Sequence, residues 1–370
     1  MDKRVLMVAT VPSMIGQFNM NNIKILLEMG YQVDAAADFK DTSIWPEERV
    51  RKLKEQLAKM NVDCIQLDFS RSPLKLNRHI QSYKETVRLL KDKKYAFIHT
   101  HTPIASAIVR LACNTTGTKV IYTAHGFHFY KGAPLKNWII FYPVEKWLSK
   151  YTDLLITINQ EDYKRARKSF RAKSVEFVPG VGVDTERFSP NISGRMRIRH
   201  ELGLDDKQIM LLSVGELNDN KNHASVIKAI KGIQNLTYVI VGKGSKEQEL
   251  KELSERLNVD LRLTGFRYDV DDFYRAADVF VLPSIREGLN VSLMEAMASG
   301  LGVACGNIRG NTDLIQNKEC LFNPRRIEEI RRAIKAACNN RQELGRQNIE
   351  KISNYSVSKV SVCMENLYRI

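Results

Sequence analysis

Long apolar runs are missing from this sequence of 370 residues. The longest apolar stretches, such as Val5 to Val11 and Trp138 to Tyr142, are far shorter than the roughly 20 residues that cross a bilayer. Val5 to Val11 is also too short for a secretory leader and is typical of a first buried strand. We therefore expect a cytoplasmic protein that has neither a membrane span nor a leader.

Several sequence signatures are missing as well. The six cysteines are scattered without Cys-x-x-Cys spacing, which predicts reduced core thiols. The lack of Gly-x-Gly-x-x-Gly argues against an NAD-linked oxidoreductase. No helix-turn-helix, RNA-binding aromatic signature or zinc finger is visible, so no nucleic-acid partner is expected. His99 and His101 have no acid or cysteine at metal-ligand spacing, so no metal is expected, and packing and site roles stay open for both.

What the chain does contain is typical of an enzyme with two cores. Apolar residues make up 44% and charged residues 27%, and the length favours two domains. The formal net charge is +15, of which +11 lies in residues 1–190. A basic first half indicates an anionic partner, such as a phosphorylated substrate or an anionic lipid surface.

Short apolar runs alternate with helical patterns, which predicts an α/β fold with parallel sheets. The pattern breaks at the Pro- and Gly-containing segment Val178–Asp184 and then restarts, which predicts a hinge. We assign residues 1–185, with a returning helix at about 355–370, to one domain and 186–354 to the other. The predicted strands are Arg4–Ala9, Val33–Ala37, Cys64–Leu67, Phe97–His99, Lys119–Thr123, Leu154–Ile158, Ile209–Val214, Tyr238–Val241, Leu261–Thr264, Val279–Leu282 and Val303–Cys305.

The strongest functional motif follows the predicted strand Val279–Leu282. Glu287 and Gly288 lie in the loop at the strand end, Asn290 is placed to cap the next helix, and Glu295 lies inside that helix. Unpaired N–H groups at a helix N-terminus favour a phosphate, and the two carboxylates can accept hydrogen bonds from sugar hydroxyls. The segment therefore predicts a nucleotide-sugar site.

Other candidate residues also follow predicted strands, where ligands bind in open parallel sheets. Lys221 lies in the loop that begins at Gly215 and Glu216, and a cation there can stabilise a leaving phosphate. His125 follows Lys119–Thr123 and can hydrogen-bond a sugar hydroxyl. Gly16 lies in a predicted loop over Thr10–Asn19 and lets the chain approach a phosphate or acceptor closely.

These motifs resemble retaining glycosyltransferases of the GT-B fold, and specifically glycosyltransferase family 4 of bacterial capsular and exopolysaccharide synthesis. Glu287 and Glu295 have the Glu-x7-Glu spacing of that family. The resemblance implies two Rossmann-like domains with parallel sheets facing across a cleft. It also implies that Glu287, Lys221 and His125 are catalytic. The donor-binding residues it implies are Gly16, Gly215, Glu216, Lys221, Gly242, Phe266, Arg267, Glu287, Gly288, Leu289, Asn290, Val291 and Glu295.

Two positions depart from the family pattern. Glu216 stands where the family usually has Arg, which removes one positive charge from the expected phosphate site. Asn290 stands where many members have Pro. The resemblance as a whole implies transfer of a hexose or N-acetylhexosamine from a UDP-sugar, with retention of configuration and no metal or other cofactor.

The expected acceptor is a saccharide or a lipid-diphosphate-linked saccharide. Aromatic residues between Trp138 and Trp147 are flanked by Lys131, Lys136, Lys146 and Lys150, a pattern typical of peripheral contact with an anionic membrane. A core helix with a solvated face is the alternative. At the level of function, a nucleotide-sugar epimerase and a basic membrane- or nucleic-acid-binding module remain alternatives.

Overall fold

The computed structural model of the protein describes residues 3–369, apart from the side chain of Ser193. The chain forms two compact units: the first unit is Met1–Val181 with Val360–Ile370, and the second unit is Gly182–Lys359. From the sequence, we expected the chain to pass from the first unit to the second at 185/186 and to return near 355. In the structure these two passages lie four to five residues away.

The first unit is built on a seven-stranded sheet with the order β3-β2-β1-β4-β5-β6-β7, in which neighbouring strands run parallel. The strands are β1 (Arg4–Val8), β2 (Gln32–Ala37), β3 (Asp63–Gln66), β4 (Tyr95–His101), β5 (Lys119–Ala124), β6 (Leu154–Thr157) and β7 (Ser174–Phe177). Parallel neighbours need crossover connections, usually helices. The helices are α1 (Pro12–Phe18), α2 (Met20–Glu28), α3 (Glu47–Lys59), α4 (Leu76–Asp92), α5 (Pro103–Thr116), α6 (Leu135–Ser149) and α7 (Gln160–Ser169).

The second unit repeats this plan with six parallel strands in the order β10-β9-β8-β11-β12-β13. Its strands are β8 (Ile209–Val214), β9 (Leu236–Val241), β10 (Leu261–Leu263), β11 (Val279–Leu282), β12 (Gly302–Gly306) and β13 (Leu321–Phe322). Its helices are α8 (Ile192–Glu201), α9 (His223–Ile230), α10 (Glu247–Leu257), α11 (Val270–Ala276), α12 (Val291–Ala298), α13 (Asn311–Leu314), α14 (Ile327–Asn339) and α15 (Arg341–Ile352), with short 3-10 turns at Lys318–Cys320 and Ser353–Tyr355. The predicted α/β class with two parallel sheets is confirmed.

The segment Thr10–Asn19, predicted as a loop, contains helix α1, so that prediction is wrong. Pro12 occupies the start of the helix, where a missing N–H costs nothing and the fixed φ angle is already helical. Gly16 lies inside α1, and a Cβ there would come within 2.4 Å of the Trp45 ring. The glycine therefore lets α1 pack against Trp45, and its contact with a donor stays a prediction.

The last helix, α16 (Val357–Leu367), returns the chain from the second unit to the first. Val360, Met364 and Tyr368 are buried in the core of the first unit. The Tyr368 hydroxyl lies 2.8 Å from Nδ1 of buried His99, whose Nε2 lies 2.8 Å from the Thr123 hydroxyl. This chain of polar contacts ties the end of α16 to β4 and β5, so His99 has a packing role.

We expect Tyr368→Phe to lower the free energy of unfolding of the first unit by about 2 kcal/mol, because a buried imidazole nitrogen would lose its partner. Urea unfolding followed by tryptophan fluorescence measures this directly, since Trp45, Trp138 and Trp147 all belong to the first unit. Tyr83→Phe is the matched control, because its hydroxyl bonds Thr115 at an exposed position. A loss no larger than that of the control would contradict the prediction.

Candidate active site

The candidate site in the second unit is formed by the loops after β8, β11 and β12. These strands are neighbours and run parallel, so their carboxyl ends lie at one edge of the sheet, where ligands bind in such folds. The three loops carry Lys221, Glu287 and Arg309 respectively. Topology thus brings together side chains that are far apart in sequence.

An ion pair joins the first two of these loops. Nζ of Lys221 lies 2.7 Å from Oε1 of Glu287, and the two side chains are only 18% and 14% exposed. Gly215 leaves room for the lysine stem, since a Cβ on Gly215 would lie 3.2 Å from Cε of Lys221. The fold therefore holds a cation and a carboxylate side by side, and the donor-binding roles predicted for the two residues stay predictions.

Backbone contacts fix the same two loops against each other. The Ile285 amide donates to the Asn220 carbonyl at 2.8 Å, and the Asn220 side chain donates to the Arg286 carbonyl at 3.2 Å. Asn222 donates to the Pro283 carbonyl at 3.2 Å from a left-handed backbone conformation that asparagine tolerates. The position of Lys221 beside Glu287 is thus set by the backbone as well as by their mutual attraction.

The loop after β11 ends at the capped N-terminus of α12. The side chain of Asn290 accepts from the Leu293 amide at 3.0 Å and from the Ser292 hydroxyl at 2.6 Å. Val291 is the first residue of the helix and Leu289 is buried before it. Asn290 thus supplies the side-chain cap that a proline cannot, and the helix begins just after the partly exposed loop of Glu287 and Gly288.

The loop after β12 packs directly on that of Glu287, which the sequence analysis missed. Gly310 has a φ of 80°, and a Cβ there would lie 2.0 Å from the Gly288 carbonyl oxygen. Nε of Arg309 donates to the Glu287 carbonyl at 3.1 Å. The signal available in the sequence was the Gly306-Asn307-Ile308-Arg309-Gly310 turn directly after a buried strand.

Glu295 lies further along α12 and is partly buried. Its carboxylate lies 2.8 Å from the hydroxyl oxygen of Tyr274, which also lies 3.1 Å from the Ser292 carbonyl oxygen, so the two acceptors share one hydroxyl hydrogen. Burial raises the pKa of Glu295 to about 7, against the opposing effects of the Tyr274 hydrogen bond and of Arg187. Tyr274 positions this carboxylate from α11, a contact across two helices that no local pattern indicates.

The remaining donor-site candidates of the second unit lie toward β9 and β10. The Gly242 amide donates to the Gly265 carbonyl at 2.9 Å, and a Cβ on Gly242 would lie 1.9 Å from the Gly215 carbonyl oxygen. These glycines therefore allow the turns after β8, β9 and β10 to meet. Glu216 and Phe266 are exposed, whereas Arg267 is held in ion pairs of 2.7 Å with Glu201 and 2.9 Å with Asp269.

His125 lies in the first unit, directly after β5. Its Nε2 is 3.0 Å from Nδ1 of buried His101, whose other nitrogen lies 3.2 Å from the sulfur of Met7. Burial lowers the pKa of His125 to about 4, so the ring is neutral at pH 7 and acts as a hydrogen-bonding group. Within residues 3–369, no group of three histidine, cysteine or acidic side chains is arranged to hold a metal ion.

Comparisons with known proteins identify the family of this chain. The family model described as Glycosyltransferase Family 4 matches residues 19–187, and that described as Glycosyl transferases group 1 matches residues 194–354. "Putative glycosyltransferase EpsD" of Bacillus subtilis (strain 168) is 35% identical over 330 residues, which are 86% of this chain and 82% of that protein. The chain belongs to glycosyltransferase family 4.

Two further comparisons place this glycosyltransferase among known relatives. It is 32% identical over 257 residues to the UDP-Gal:alpha-D-GlcNAc-diphosphoundecaprenol alpha-1,3-galactosyltransferase of Escherichia coli, a match covering 66% of each chain. Its structure resembles that of Anabaena HepE in complex with UDP-glucose, with a TM-score of 0.79 and 17% identity over 99% of this chain and 100% of that one. The structural likeness confirms that this glycosyltransferase has the GT-B fold.

The raised pKa of Glu295 predicts how the stability of this glycosyltransferase depends on pH. The folded chain holds the carboxyl proton up to about pH 7, whereas the unfolded chain releases it near its ordinary pKa. Stability is therefore present at low pH and is lost as the pH rises through 7. Glu295→Gln mimics the protonated group, so we expect it to stabilise the protein by about 3 kcal/mol at pH 8 and by about 1 kcal/mol at pH 5.

Urea unfolding at the two pH values, followed by circular dichroism, tests this expectation, because no tryptophan belongs to the second unit. Glu255→Gln, at an exposed position of α10, is the matched control. Equal effects of Glu295→Gln at both pH values would show that burial does not hold the proton on this group.

Proposed function

We propose that this glycosyltransferase transfers a hexose or N-acetylhexosamine from a UDP-sugar to a saccharide or lipid-diphosphate-linked acceptor in polysaccharide biosynthesis. The observation that carries the proposal is the Lys221–Glu287 pair beside the capped N-terminus of α12. It combines a cation for a diphosphate, amides for phosphate oxygens and a carboxylate for sugar hydroxyls. The crystal structures of HepE with UDP and with UDP-glucose support the choice of donor.

In the proposed complex, Lys221 leaves Glu287 and binds the donor diphosphate. Glu287 then accepts hydrogen bonds from the hexose, with Gly288, Leu289 and Asn290 presenting backbone groups to it. Glu295 binds the ribose of the nucleotide, since its carboxylate is already held in place by Tyr274. Charge that develops on the leaving diphosphate is stabilised by fixed groups, and the reaction uses no metal.

The proposed reaction retains the configuration of the sugar. The bond between the anomeric carbon and the diphosphate oxygen breaks as the acceptor oxygen forms its bond on the same face. The acceptor hydroxyl passes its proton to the departing phosphate oxygen. His125 is neutral, and its part in this step is a hydrogen bond to a sugar hydroxyl. No protein nucleophile is required.

Helix α6 supports a membrane-associated acceptor. Its inner face is held by a buried ion pair of 2.9 Å between Glu145 and Arg110 of α5, and its outer face exposes large apolar side chains. These are Leu135 (73% exposed), Ile139 (65%), Ile140, Val144 and Trp147. Among the described helices, none is long and apolar enough to cross a bilayer.

Exposed lysines next to these apolar residues favour binding to an anionic membrane surface. Insertion of apolar side chains and attraction of lysines to anionic lipids both contribute to the free energy of binding. Lys131, Lys136 and Lys150 are exposed, and Lys146 is partly so. We therefore propose that α6 binds the cytoplasmic face of an anionic membrane. The lipid-diphosphate acceptor named for the E. coli relative supports such a location.

Calorimetric titration with a panel of nucleotide sugars, with a chelator present, tests the donor site. We expect binding of a UDP-sugar and a loss of about 100-fold in affinity in Lys221→Ala and in Glu295→Ala, because each loses a charged hydrogen-bonding group. Lys228→Ala, an exposed lysine of α9, is the control. Absence of binding by the parent chain would overturn the proposal, and sugar release or isomerisation without an acceptor would favour an epimerase.

Vesicle sedimentation tests the membrane proposal. We expect the double variant Ile139→Ser with Ile140→Ser to lower the partition coefficient onto phosphatidylglycerol-containing vesicles by about tenfold or more, because it removes exposed apolar surface. Ile192→Ser removes an apolar side chain of the second unit that is still more exposed, and is the control. Binding that is insensitive to both the double variant and the anionic lipid content would contradict the proposal.

A further inference from the structure

Two histidines at the carboxyl edge of the first sheet share one hydrogen. Nδ1 of His101 and Nε2 of His125 lie 3.0 Å apart, a hydrogen-bond distance that requires one donor and one acceptor. Burial lowers the pKa of both rings, so at pH 7 each ring is neutral and carries a single N–H. The position of the hydrogen on His101 therefore decides its position on His125.

Met7 selects the nitrogen of His101 that carries the hydrogen. Its sulfur lies 3.2 Å from Nε2 of His101. A thioether sulfur has lone pairs and no hydrogen, so it accepts a hydrogen bond and cannot donate one. An N–H at Nε2 is therefore favoured over a lone pair that would face the lone pairs of the sulfur. Nδ1 of His101 is then the acceptor in the contact with His125.

The sheet holds these three residues in place. Met7 lies in β1, His101 ends β4 and His125 directly follows β5, and the three strands are parallel neighbours. Met7 is 0% and His101 is 1% exposed, so bulk water is excluded from the contact between sulfur and imidazole. The N–H of His101 thus depends on Met7 for its acceptor.

His99, which lies beside His101, is not constrained in this way. Its two ring nitrogens contact the hydroxyls of Tyr368 and Thr123, each at 2.8 Å. A hydroxyl can donate or accept, so these partners suit either tautomer of His99. The hydrogen-bond direction at His101 and His125 therefore comes from the sulfur of Met7 and not from the neighbouring polar chain.

We infer that Met7 and His101 are positioning residues that set the tautomer of His125. Nε2 of His125 carries the hydrogen and donates it to His101, and Nδ1 of His125 presents a lone pair. The His125 ring is partly exposed, so this lone pair is available to a ligand.

The tautomer gives the proposed contact with a sugar hydroxyl a direction: the hydroxyl donates and the imidazole of His125 accepts. This step rests on the proposed function, whereas the tautomer itself does not. A nitrogen with a lone pair binds O–H or N–H groups and repels a phosphate oxygen, which has lone pairs alone. His125 is therefore specific for a hydroxyl.

NMR spectra that correlate ring protons with ring nitrogens test the tautomer, using the full chain with ¹⁵N-labelled histidine and no ligand. Protonated and unprotonated ring nitrogens have well-separated shifts, and we expect Nε2 to be protonated in both His101 and His125. Met7→Leu removes the sulfur and keeps a side chain of similar volume. We expect it to lower the ratio of the two His125 tautomers by about fivefold or more, because one hydrogen bond no longer distinguishes them.

Met364→Leu is the matched control, because Met364 is buried in the same core and the hydrogen bonds described for the three histidine rings do not include it. Should Met7→Leu fail to fold, His101→Phe keeps a ring beside His99 and cannot accept a hydrogen bond, and we expect both tautomers of His125 in it. A parent His125 protonated on Nδ1 overturns the inference, as does a tautomer ratio that neither variant changes.

Calorimetry with UDP-glucose and its monodeoxy and monofluoro-deoxy analogues tests the direction of the hydroxyl contact. At one position we expect removal of the hydroxyl to weaken binding by about tenfold in the parent and by less than about threefold in His125→Ala. Because fluorine cannot donate, the fluoro analogue at that position should bind no better than the deoxy analogue. Tighter binding of the fluoro analogue, or no position that responds to His125→Ala, would overturn the accepting role. A parent chain that binds none of these sugars would overturn the proposed donor, and the NMR result would still decide the tautomer.

Discussion

Parallel pairing of strands is the constraint on which the rest of this protein depends. Each parallel neighbour requires a crossover, and the crossovers leave the loops after the strands at one edge of each sheet. In the second unit β8 is central, with β9 on one side and β11 followed by β12 on the other. This order places Lys221, Glu287 and Arg309 around one point, although the chain passes through three helices between the first and the second of them. In the first unit the same constraint places His101, at the end of β4, and His125, directly after the neighbouring β5, with ring nitrogens 3.0 Å apart.

The ion pair between Lys221 and Glu287 gives the site a defined arrangement before any ligand binds. A partly shielded pair of this kind contributes little to stability, because the loss of hydration offsets most of the attraction. The pair instead fixes the positions of the two side chains, since each group keeps the other near the place where the proposed donor binds. In the proposed complex, binding exchanges one charge contact for another: the ammonium moves to phosphate, and the carboxylate is left for sugar hydroxyls. The exchange is less costly than extracting two separately hydrated charges from water, because both groups are already shielded.

Much of this arrangement could be predicted from local patterns. The strands Ile209–Val214 and Val279–Leu282 have the predicted bounds, because the apolar runs there are closed by Gly215 and Pro283. Strand Ser174–Phe177 was missed because it is short and polar at alternate positions, and helix Pro12–Phe18 was missed because Gly16 indicated a loop. The contacts that Arg309 and Tyr274 make with the residues around α12 could not be predicted locally. They join residues on different elements, and such contacts depend on strand order, which local periodicity does not contain.

The histidines around the end of β4 in the first unit are uncharged, whereas the candidate site of the second unit contains a charged pair. This difference limits the roles that the residues of each unit can take. In the first unit, burial lowers the pKa of His99 to about 3 and that of His125 to about 4, and it also lowers the pKa of His101. The three rings are therefore neutral at pH 7, and protonating them to balance a leaving diphosphate would cost free energy. Under the proposed reaction, that charge must be met in the second unit, where Lys221 already shares its charge with Glu287.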